Sequence, residues 1–381
     1  MNICYVLTHF YPFVGGGEQF FLDLIAETIK DKNVHVRVIT CNSGIEGHHT
    51  YNGIDIYSYN WKIRFGHPVV KMKDVEEHVK WADIVHTAIY TPVNVCIKLG
   101  RKYNKPVINT VYEALHKKWF WIEPNIIKAC GFYSYERFIL TRKADYFHVI
   151  SNATKDDLKI VNKKAKAKMI YCISEIDSSK VKKNHNKLCK LFDIPNDSTV
   201  YLNYGRPGKT KGLYVYIKAI KKLVDSIDTK KLKNVKFCFI MGNDPMSEKK
   251  KYYKYIEKHN LGEYIKIVNP VDREGLKTYI KSADFIVIPS ITEGFGLSAI
   301  EACESGIPLI HSSGGSLPEV VYGLTKQFEN RNIDDLRNVL EDSIINGTKN
   351  FKSSKQNDFS RKTIAKQFKD YYKEVLSSKN D

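Results

Sequence analysis

The stretch 285–301, Phe285-Ile286-Val287-Ile288-Pro289-Ser290-Ile291-Thr292-Glu293-Gly294-Phe295-Gly296-Leu297-Ser298-Ala299-Ile300-Glu301, is where the architecture of this chain becomes readable. Residues 285–288 form a short apolar run with the length of a buried parallel strand. The run breaks at Pro289 and opens into a turn holding Glu293, Gly294 and Gly296. A helical pattern then starts near Gly296 and carries Glu301 in its second turn. A strand feeding a glycine turn and a helix N-terminus aims several backbone N–H groups at one point, which suits phosphate or sugar oxygens. Glu293 and Glu301 bracket the helix start, and because Glu293 precedes the helix, same-face spacing does not relate them. Ionised carboxylates only accept hydrogen bonds, so one could grip sugar hydroxyls and the other a ribose diol. Taken alone, the pair reads more simply as an acid favoured by the helix dipole and a solvated glutamate. The neighbours change that.

Upstream, Gly205-Arg206-Pro207-Gly208-Lys209-Thr210-Lys211-Gly212 lies between an apolar run at 200–204 and a helical pattern at 214–224. Gly208-Lys209-Thr210 imitates the tail of a phosphate-binding P-loop. That motif needs glycine at 203, where Asn203 stands, and Pro207 removes an N–H from the would-be cradle. The other reading takes Arg206 and Lys211 as cations projecting from a strand end and a helix start. A guanidinium fork and a mobile ammonium suit a diphosphate whose charge grows as it leaves. In isolation the two would be ordinary surface cations.

Outward from these turns, strands alternate with helices along most of the chain. A strand at 2–8 leads to Phe10-Tyr11-Pro12-Phe13-Val14-Gly15-Gly16-Gly17-Glu18, a glycine turn in which Gly16 and Gly17 let backbone approach a ligand closely. It is not G-x-G-x-x-G, so a dinucleotide cofactor has little support. Phe20, Phe21, Leu24, Ile25 and Ile29 then have helical spacing. Strands follow at 34–40, 54–57, 84–86, 106–111, 146–150 and 168–173, and Ser151 caps a helix. From 174 to 198 the pattern dissolves into polar, lysine-rich sequence, read as a boundary. Beyond it come strands at 200–204, 235–241, 264–268, 284–288 and 307–311, and an amphipathic helix through Ile333, Leu336, Val339, Leu340 and Ile344. After a polar linker at 347–358, Ile364, Phe368, Tyr371, Tyr372 and Val375 line one side of a last helix. Such alternation predicts an α/β chain with two Rossmann-like, doubly wound parallel-sheet domains facing each other across a cleft. The predicted domains are 1–180 and 195–355, with the helix at 359–381 outside both.

Composition narrows the function. The 381 residues carry a formal net charge of +18, with lysines gathered at 163–168, 180–187, 230–233 and 249–254. Such a balance attracts nucleic acid, anionic membrane or anionic small substrates. The runs have little aromatic interleaving, so they read as a solvated face and specific nucleic-acid binding is not expected. No apolar run approaches the ~20 residues that span a bilayer. The first residues lack a basic leader and read as a strand rather than a signal peptide. Eight scattered cysteines without C-x-x-C spacing fit buried thiols in a cytoplasmic protein, and His48-His49 reads as a solvated loop pair. Trp119-Phe120-Trp121 could touch a lipid or sugar ring, or merely pack.

Together these features resemble the GT-B fold of retaining nucleotide-sugar glycosyltransferases, specifically glycosyltransferase family 4, over nearly the whole chain. The Pro-x-x-Gly-Gly-Gly-Glu loop, Gly205-Arg206 with Lys211-Gly212, Glu293 through Glu301, and Gly314-Gly315 with Pro318-Glu319 are similar to four family motifs in order. The resemblance implies that Arg206 and Lys211 clamp the donor diphosphate. It implies that Glu293, with Gly294, Phe295, Gly296 and Leu297, holds the donor sugar and phosphate, and that Glu301 takes the ribose. Gly16, Gly17 and Gly205 would line the donor, and Met241, Gly242, Val271 and Asp272 the base. The last helix would cross back onto the first domain. No cofactor and no metal are implied, and the chain has no Asp-x-Asp. Two positions depart. Where many relatives carry a histidine near the donor sugar this chain has Tyr112, followed by Glu113 and His116, which become the candidate sugar or acceptor contacts. The usual Asn-Gly-Val-Asp reads Ser174-Glu175-Ile176-Asp177. The implied activity is transfer of a hexose from GDP-mannose or UDP-glucose to a glycan, lipid or other hydroxyl, with retention. An anionic membrane surface is a candidate peripheral contact. The rival readings are a nucleotide-sugar epimerase on the same fold and a non-catalytic basic binding protein.

Overall fold

The computed structural model describes residues 1–12, 16–42, 44–64, 67–142, 144–174, 181–243 and 245–378. It divides into two compact units, Met1–Glu175 with Asp358–Asp381, and Ile176–Asn357. The departure at 174–177 noted in the sequence falls, from Glu175 on, outside the described residues, as does Gly15 of the first glycine turn.

In the first unit eight strands form one sheet in the order Ala167–Met169, Tyr146–Val149, Val107–Val111, Ile84–Ala88, Asn2–Val6, His35–Cys41, Ile54–Tyr59, Gly47–Tyr51. The central strands Ile84–Ala88 and Val107–Val111 are buried along their whole length, as expected where helices cover both faces of a parallel sheet. The chain starts mid-sheet, builds to one side, then returns to the other, so the winding reverses between Asn2–Val6 and Ile84–Ala88. Ligands of open α/β sheets bind at such a reversal, outside the carboxyl ends of the strands. There Thr8 and Thr91 bring their hydroxyl oxygens within 3.4 Å. The second unit repeats the plan with seven strands: Ile265–Val268, Val235–Met241, Thr199–Gly205, Phe285–Ile288, Leu309–Ser312, Gly323–Phe328 and Lys352–Ser354. Its reversal lies between Thr199–Gly205 and Phe285–Ile288, the two strands that precede the candidate clamp and the Glu293 turn.

Several sequence expectations change. His48 and His49 sit not in a loop but on Gly47–Tyr51, an edge strand antiparallel to Ile54–Tyr59, with His48 Nε2 3.2 Å from Asp55. The stretch read as a structureless boundary contains the helix His185–Phe192, capped by Asn184 and burying Leu188, Cys189 and Phe192. The polar linker contributes the exposed antiparallel strand Lys352–Ser354. Seven cysteines are buried, but Cys130 is exposed. The lysine run 249–254 is not wholly solvated, because Lys249 is buried.

The helix Arg361–Ser377 packs in the first unit, burying Ile364, Phe368, Tyr371, Tyr372 and Val375. A buried polar chain ties it to the sheet. Tyr5 Oη lies 2.7 Å from Tyr372 Oη, which lies 2.8 Å from His86 Nδ1. His86 Nε2 then meets Thr110 Oγ1 at 2.7 Å, Thr110 meets His148 Nδ1 at 2.9 Å, and His148 Nε2 meets the Ile170 carbonyl at 2.9 Å. Burial holds His148 down to about 4 and His86 well below its ordinary range, so both rings are neutral. The carbonyl end sets the direction of every proton. His148 Nε2 must donate to it, so Nδ1 accepts from Thr110, Thr110 accepts from His86 Nε2, and His86 Nδ1 accepts from Tyr372. Tyr372 in turn accepts from Tyr5, and each of these buried ring nitrogens and hydroxyls is satisfied.

Candidate functional site

In the second unit the turn after Phe285–Ile288 is held by close-packed backbone. Gly212, at φ +66, lies so near this turn that an added Cβ would fall 1.8 Å from the Pro289 carbonyl oxygen. A Cβ on Gly314 would fall 2.5 Å from the Ile291 carbonyl oxygen, and one on Gly315 2.4 Å from the Glu293 backbone. Only glycine fits at these positions. Hydrogen bonds complete the frame. Ile291 N–H donates to the Thr210 carbonyl at 2.7 Å, Ser316 N–H to the Glu293 carbonyl at 3.0 Å, and the Asn330 amide to the Ile291 carbonyl at 2.8 Å. Asn203, whose identity ruled out a P-loop, donates its buried amide to the Val287 carbonyl at 2.8 Å.

The Arg206–Gly212 turn is pinned as firmly. Gly242 N–H donates to the Gly205 carbonyl at 2.8 Å, and Tyr252 donates its hydroxyl to the Pro207 carbonyl at 3.1 Å. Lys211 Nζ lies 2.7 Å from Glu293 Oε1, and the Ser290 hydroxyl donates to the same oxygen at 2.7 Å. Both side chains are mostly withdrawn from solvent, Glu293 at 12 % and Lys211 at 28 % exposure. Arg206 is exposed at the strand end. Thus one of the two cations expected to clamp a phosphate is joined to the carboxylate expected to hold a sugar, while the other projects outward.

Helix Leu297–Glu304 begins at Gly296, at φ +85, with Phe295 buried behind it and Gly294 in the turn. Tyr204 secures this helix start by donating its hydroxyl to the Ser298 carbonyl at 2.6 Å. Glu301 faces helix Arg273–Ser282 and lines a cavity of about 40 Å³ with Arg273, Lys277 and Lys281. Burial raises its carboxyl above the ordinary range against the opposing pull of Arg273 and Lys277. Asp272 caps that facing helix, accepting from Gly275 N–H at 2.8 Å, with Val271 partly buried just before it.

Met241 and Gly242 end the strand Val235–Met241, and a residue overlooked in the sequence stands behind them. Lys249 Nζ donates to the Met241 carbonyl at 3.3 Å, Asn243 Oδ1 at 2.8 Å and Asn269 Oδ1 at 2.9 Å. Desolvation lowers its ammonium from the ordinary range. By taking both amide oxygens, Lys249 fixes the orientation of two asparagines at adjacent strand ends. The signal was present, since Lys249, Tyr252 and Ile256 form one helical stripe.

In the first unit, Gly16 and Gly17 are not a free turn but the first residues of helix Gly16–Thr28. The Tyr112 ring covers Gly17 so closely that an added Cβ would fall 2.9 Å from it, and Tyr112 donates its hydroxyl to the Gly17 carbonyl at 3.3 Å. Glu113 is partly buried on the following loop. His116 is engaged within its own unit, with Nε2 3.3 Å from Asp157 and its N–H given to Glu136. Glu136, also unremarked in the sequence, is a buried carboxylate that accepts in addition from Leu115 N–H at 3.0 Å and Tyr90 at 3.1 Å. Trp119 packs on Phe132 with centroids 4.9 Å apart. Among the described residues no group of three or more His, Cys, Asp or Glu side chains is placed to hold a metal, and no helix is long and apolar enough to cross a membrane.

Comparison with known proteins covers nearly the same span. The family model for Glycosyltransferase Family 4 matches residues 14–173, and that for Glycosyl transferases group 1 matches residues 182–361. An uncharacterised glycosyltransferase of Methanocaldococcus jannaschii is 24% identical over 84% of this chain and 83% of its own length. The O-antigen biosynthesis glycosyltransferase WclY of Escherichia coli is 23% identical over 81% of this chain and 84% of its own. Among solved structures, a sucrose-phosphate synthase from Thermosynechococcus elongatus superposes with a TM-score of 0.72 at 18% identity, covering 99% of both chains. Anabaena HepE, solved with UDP and glucose, superposes with a TM-score of 0.69 at 15% identity, covering 97% of this chain and 99% of its own.

Proposed function

The chain belongs to the GT-B glycosyltransferases of group 1, and from that premise we propose that it transfers a hexose from a nucleoside diphosphate sugar to an acceptor hydroxyl with retention of the anomeric configuration. The observation that carries this reading is the Lys211–Glu293–Ser290 cluster at the winding reversal of the second unit, with Arg206 exposed at the end of the strand Thr199–Gly205 that flanks the reversal. Lys211 and Glu293 neutralise each other across 2.7 Å. A donor diphosphate meeting Arg206 would draw Lys211 Nζ to itself, and Glu293, still held by Ser290, would turn its freed lone pairs to the sugar hydroxyls. As the glycosidic bond breaks, charge grows on the departing β-phosphate oxygen, where the two cations stabilise it most. That same oxygen accepts the proton of the incoming hydroxyl, so the new bond forms on the face the diphosphate leaves and no protein nucleophile takes part.

UDP-glucose and GDP-mannose are the proposed donors, the first in keeping with the HepE structure solved with UDP-glucose. Glycans and lipid-linked saccharides are the proposed acceptors. The free cysteines suit a reducing compartment. A thermal-shift panel of UDP-, GDP- and ADP-sugars, followed by NMR of the product anomer, tests the proposal. Stabilisation by UDP-glucose or GDP-mannose and an unchanged anomer are expected. An inverted product, or no response to any sugar nucleotide, would sink it.

A further inference from the structure

Lys249 is 3% exposed, and among the described residues no carboxylate pairs with it; the adjacent Glu248 pairs instead with Lys251. Burying an ammonium without a counter-charge is costly unless each of its protons finds an acceptor. Here the three N–H groups meet three acceptors, the Met241 carbonyl, Asn243 Oδ1 and Asn269 Oδ1. A leucine or methionine would fill the same helical stripe, with Tyr252 and Ile256, at no such cost. What a hydrocarbon could not do is choose between the two ends of an amide. A cation takes only the oxygen. Asn243 and Asn269 are both exposed, so with Oδ1 held by Lys249 each turns its N–H2 away from the ammonium and outward. Among the described residues neither amide nitrogen donates to the protein. The pair therefore presents donors and withholds its acceptors.

The carboxyl edge of the sheet fixes what these donors face. Asn243 follows Val235–Met241 and Asn269 follows Ile265–Val268, the two strands on one side of Thr199–Gly205. Phe285–Ile288, which leads to Glu293, lies on the other side. Met241 is in register with Gly205, and a Cβ on Gly242 would come 3.4 Å from Arg206 Cα. Helix Met246–Lys258, which carries Lys249, also carries Tyr252, whose hydroxyl pins the Pro207 carbonyl. One helix thus holds the amide pair and the Arg206 turn in fixed relation. A nucleoside diphosphate sugar with its hexose at Glu293 and its diphosphate at Arg206 directs its base over the two amides.

Nucleobases divide at such a pair. Uracil and guanine carry a ring carbonyl oxygen where cytosine and adenine carry an amino group. Outward N–H2 groups donate to the oxygen but meet the amino group donor against donor, leaving both unpaired.

We propose that Lys249 is a positioning residue that turns the amides of Asn243 and Asn269 donor-outward, so that the site takes nucleotides whose base bears that ring carbonyl and refuses those with an amino group in its place. This rests on reading Arg206 and Glu293 as the donor site.

The test titrates the full chain with two matched pairs of nucleotides. UDP differs from CDP, and IDP from ADP, by this exchange of carbonyl for amino group. Wild type is expected to bind the carbonyl member of at least one pair about tenfold or more tighter than its amino partner. Which pair discriminates tells whether the site fits a pyrimidine or a purine. Lys249→Met keeps the buried hydrocarbon but frees both amides to turn, and should bring the ratio toward one. A role confined to packing would weaken both members alike and leave the ratio where it was. Asn269→Asp keeps Lys249 paired and sets a carboxylate oxygen where the amide nitrogen stood, so the preference should move toward the amino member. Equal binding within both pairs by wild type, or an unchanged ratio in a folded Lys249→Met protein, overturns the proposal and leaves the donor reading intact. Should that variant not fold, an unchanged ratio in Asn269→Asp overturns it. Failure of wild type to bind any of the four nucleotides removes this proposal and the donor reading together.

Discussion

At the winding reversal of the second unit, backbone is packed on backbone: Gly212, Gly314 and Gly315 touch the 289–293 turn, and the polar groups there pair at 2.7–3.0 Å. At the same place in the first unit the walls stand apart around a cavity of about 920 Å³ that Thr91 helps to line, and the precise polar pairing lies deeper, in the chain from Tyr5 to His148. One topology has thus been finished in two ways. A site that must stabilise a charge appearing in a single step gains from donors that need no rearrangement. A site that takes up a ligand of many atoms gains from room.

The contrast can first be broken with acid. Burial lowers His78 and His148 to about 4 in the first unit, with His86 also well below its ordinary range, and lowers His311 to about 4 in the second. Above about pH 6.5 all are neutral in folded and unfolded chains alike. Below it the unfolded chain takes up protons that the folded chain refuses until about pH 4, so stability falls as pH falls. A fully buried histidine of this kind costs about 2 kcal/mol between about pH 7 and pH 5. His148 and His311 should each approach that figure, and His86 and His78 add to the loss in the first unit alone. Hydrogen exchange followed by peptide at the two pH values should show the first unit weakening more. Equal loss in both would mean that the histidine chain is not a closed, neutral network.

Next in size are the cations. Arg206→Ala and Lys211→Ala should each lower kcat by about 100- to 1000-fold, roughly 3–4 kcal/mol of transition-state stabilisation. Little change in Tm is expected for Arg206→Ala and a lower Tm for Lys211→Ala, which leaves Glu293 without its cation. Near-normal turnover in both would leave the second unit's packing without a catalytic purpose. The smallest effects come from a matched pair of glycines. Gly212→Ala forces a Cβ into the Pro289 carbonyl at positive φ and should destabilise the second unit by about 2–3 kcal/mol. Gly131→Ala meets open space in a helix and should stabilise the first unit by about 1 kcal/mol. Opposite signs in thermal unfolding would sharpen the distinction, and equal signs would erase it.

What could be read beforehand follows from physical range. Alternating apolar runs state the fold because every central strand must be buried, and the glycine turns stand out because no ordinary helix or strand tolerates them. The pairing of Lys211 with Glu293 spans 82 positions, and only the resemblance brought those two residues into one site. Gly323–Phe328 passed unnoticed because it buries only Thr325 and Phe328, and Lys352–Ser354 because an edge strand with one partner needs little apolar signal. Helix His185–Phe192 was missed although Asn184 and the spacing of Leu188, Cys189 and Phe192 announce it, since the surrounding lysines outweighed them. His86, His148 and Glu136 gave no local sign at all, for their partners come from other strands and helices.

Because Tyr372 supplies a link in the hydrogen-bonded core of the first unit, that unit is completed by a segment made after all of the second. Residues 176–357 are a continuous stretch that can fold without the last helix, whereas the earlier sheet cannot be closed until that helix has been made. A released chain truncated shortly before residue 361 should therefore carry a protease-resistant later half and a vulnerable earlier one, an inversion of the usual order of synthesis and folding.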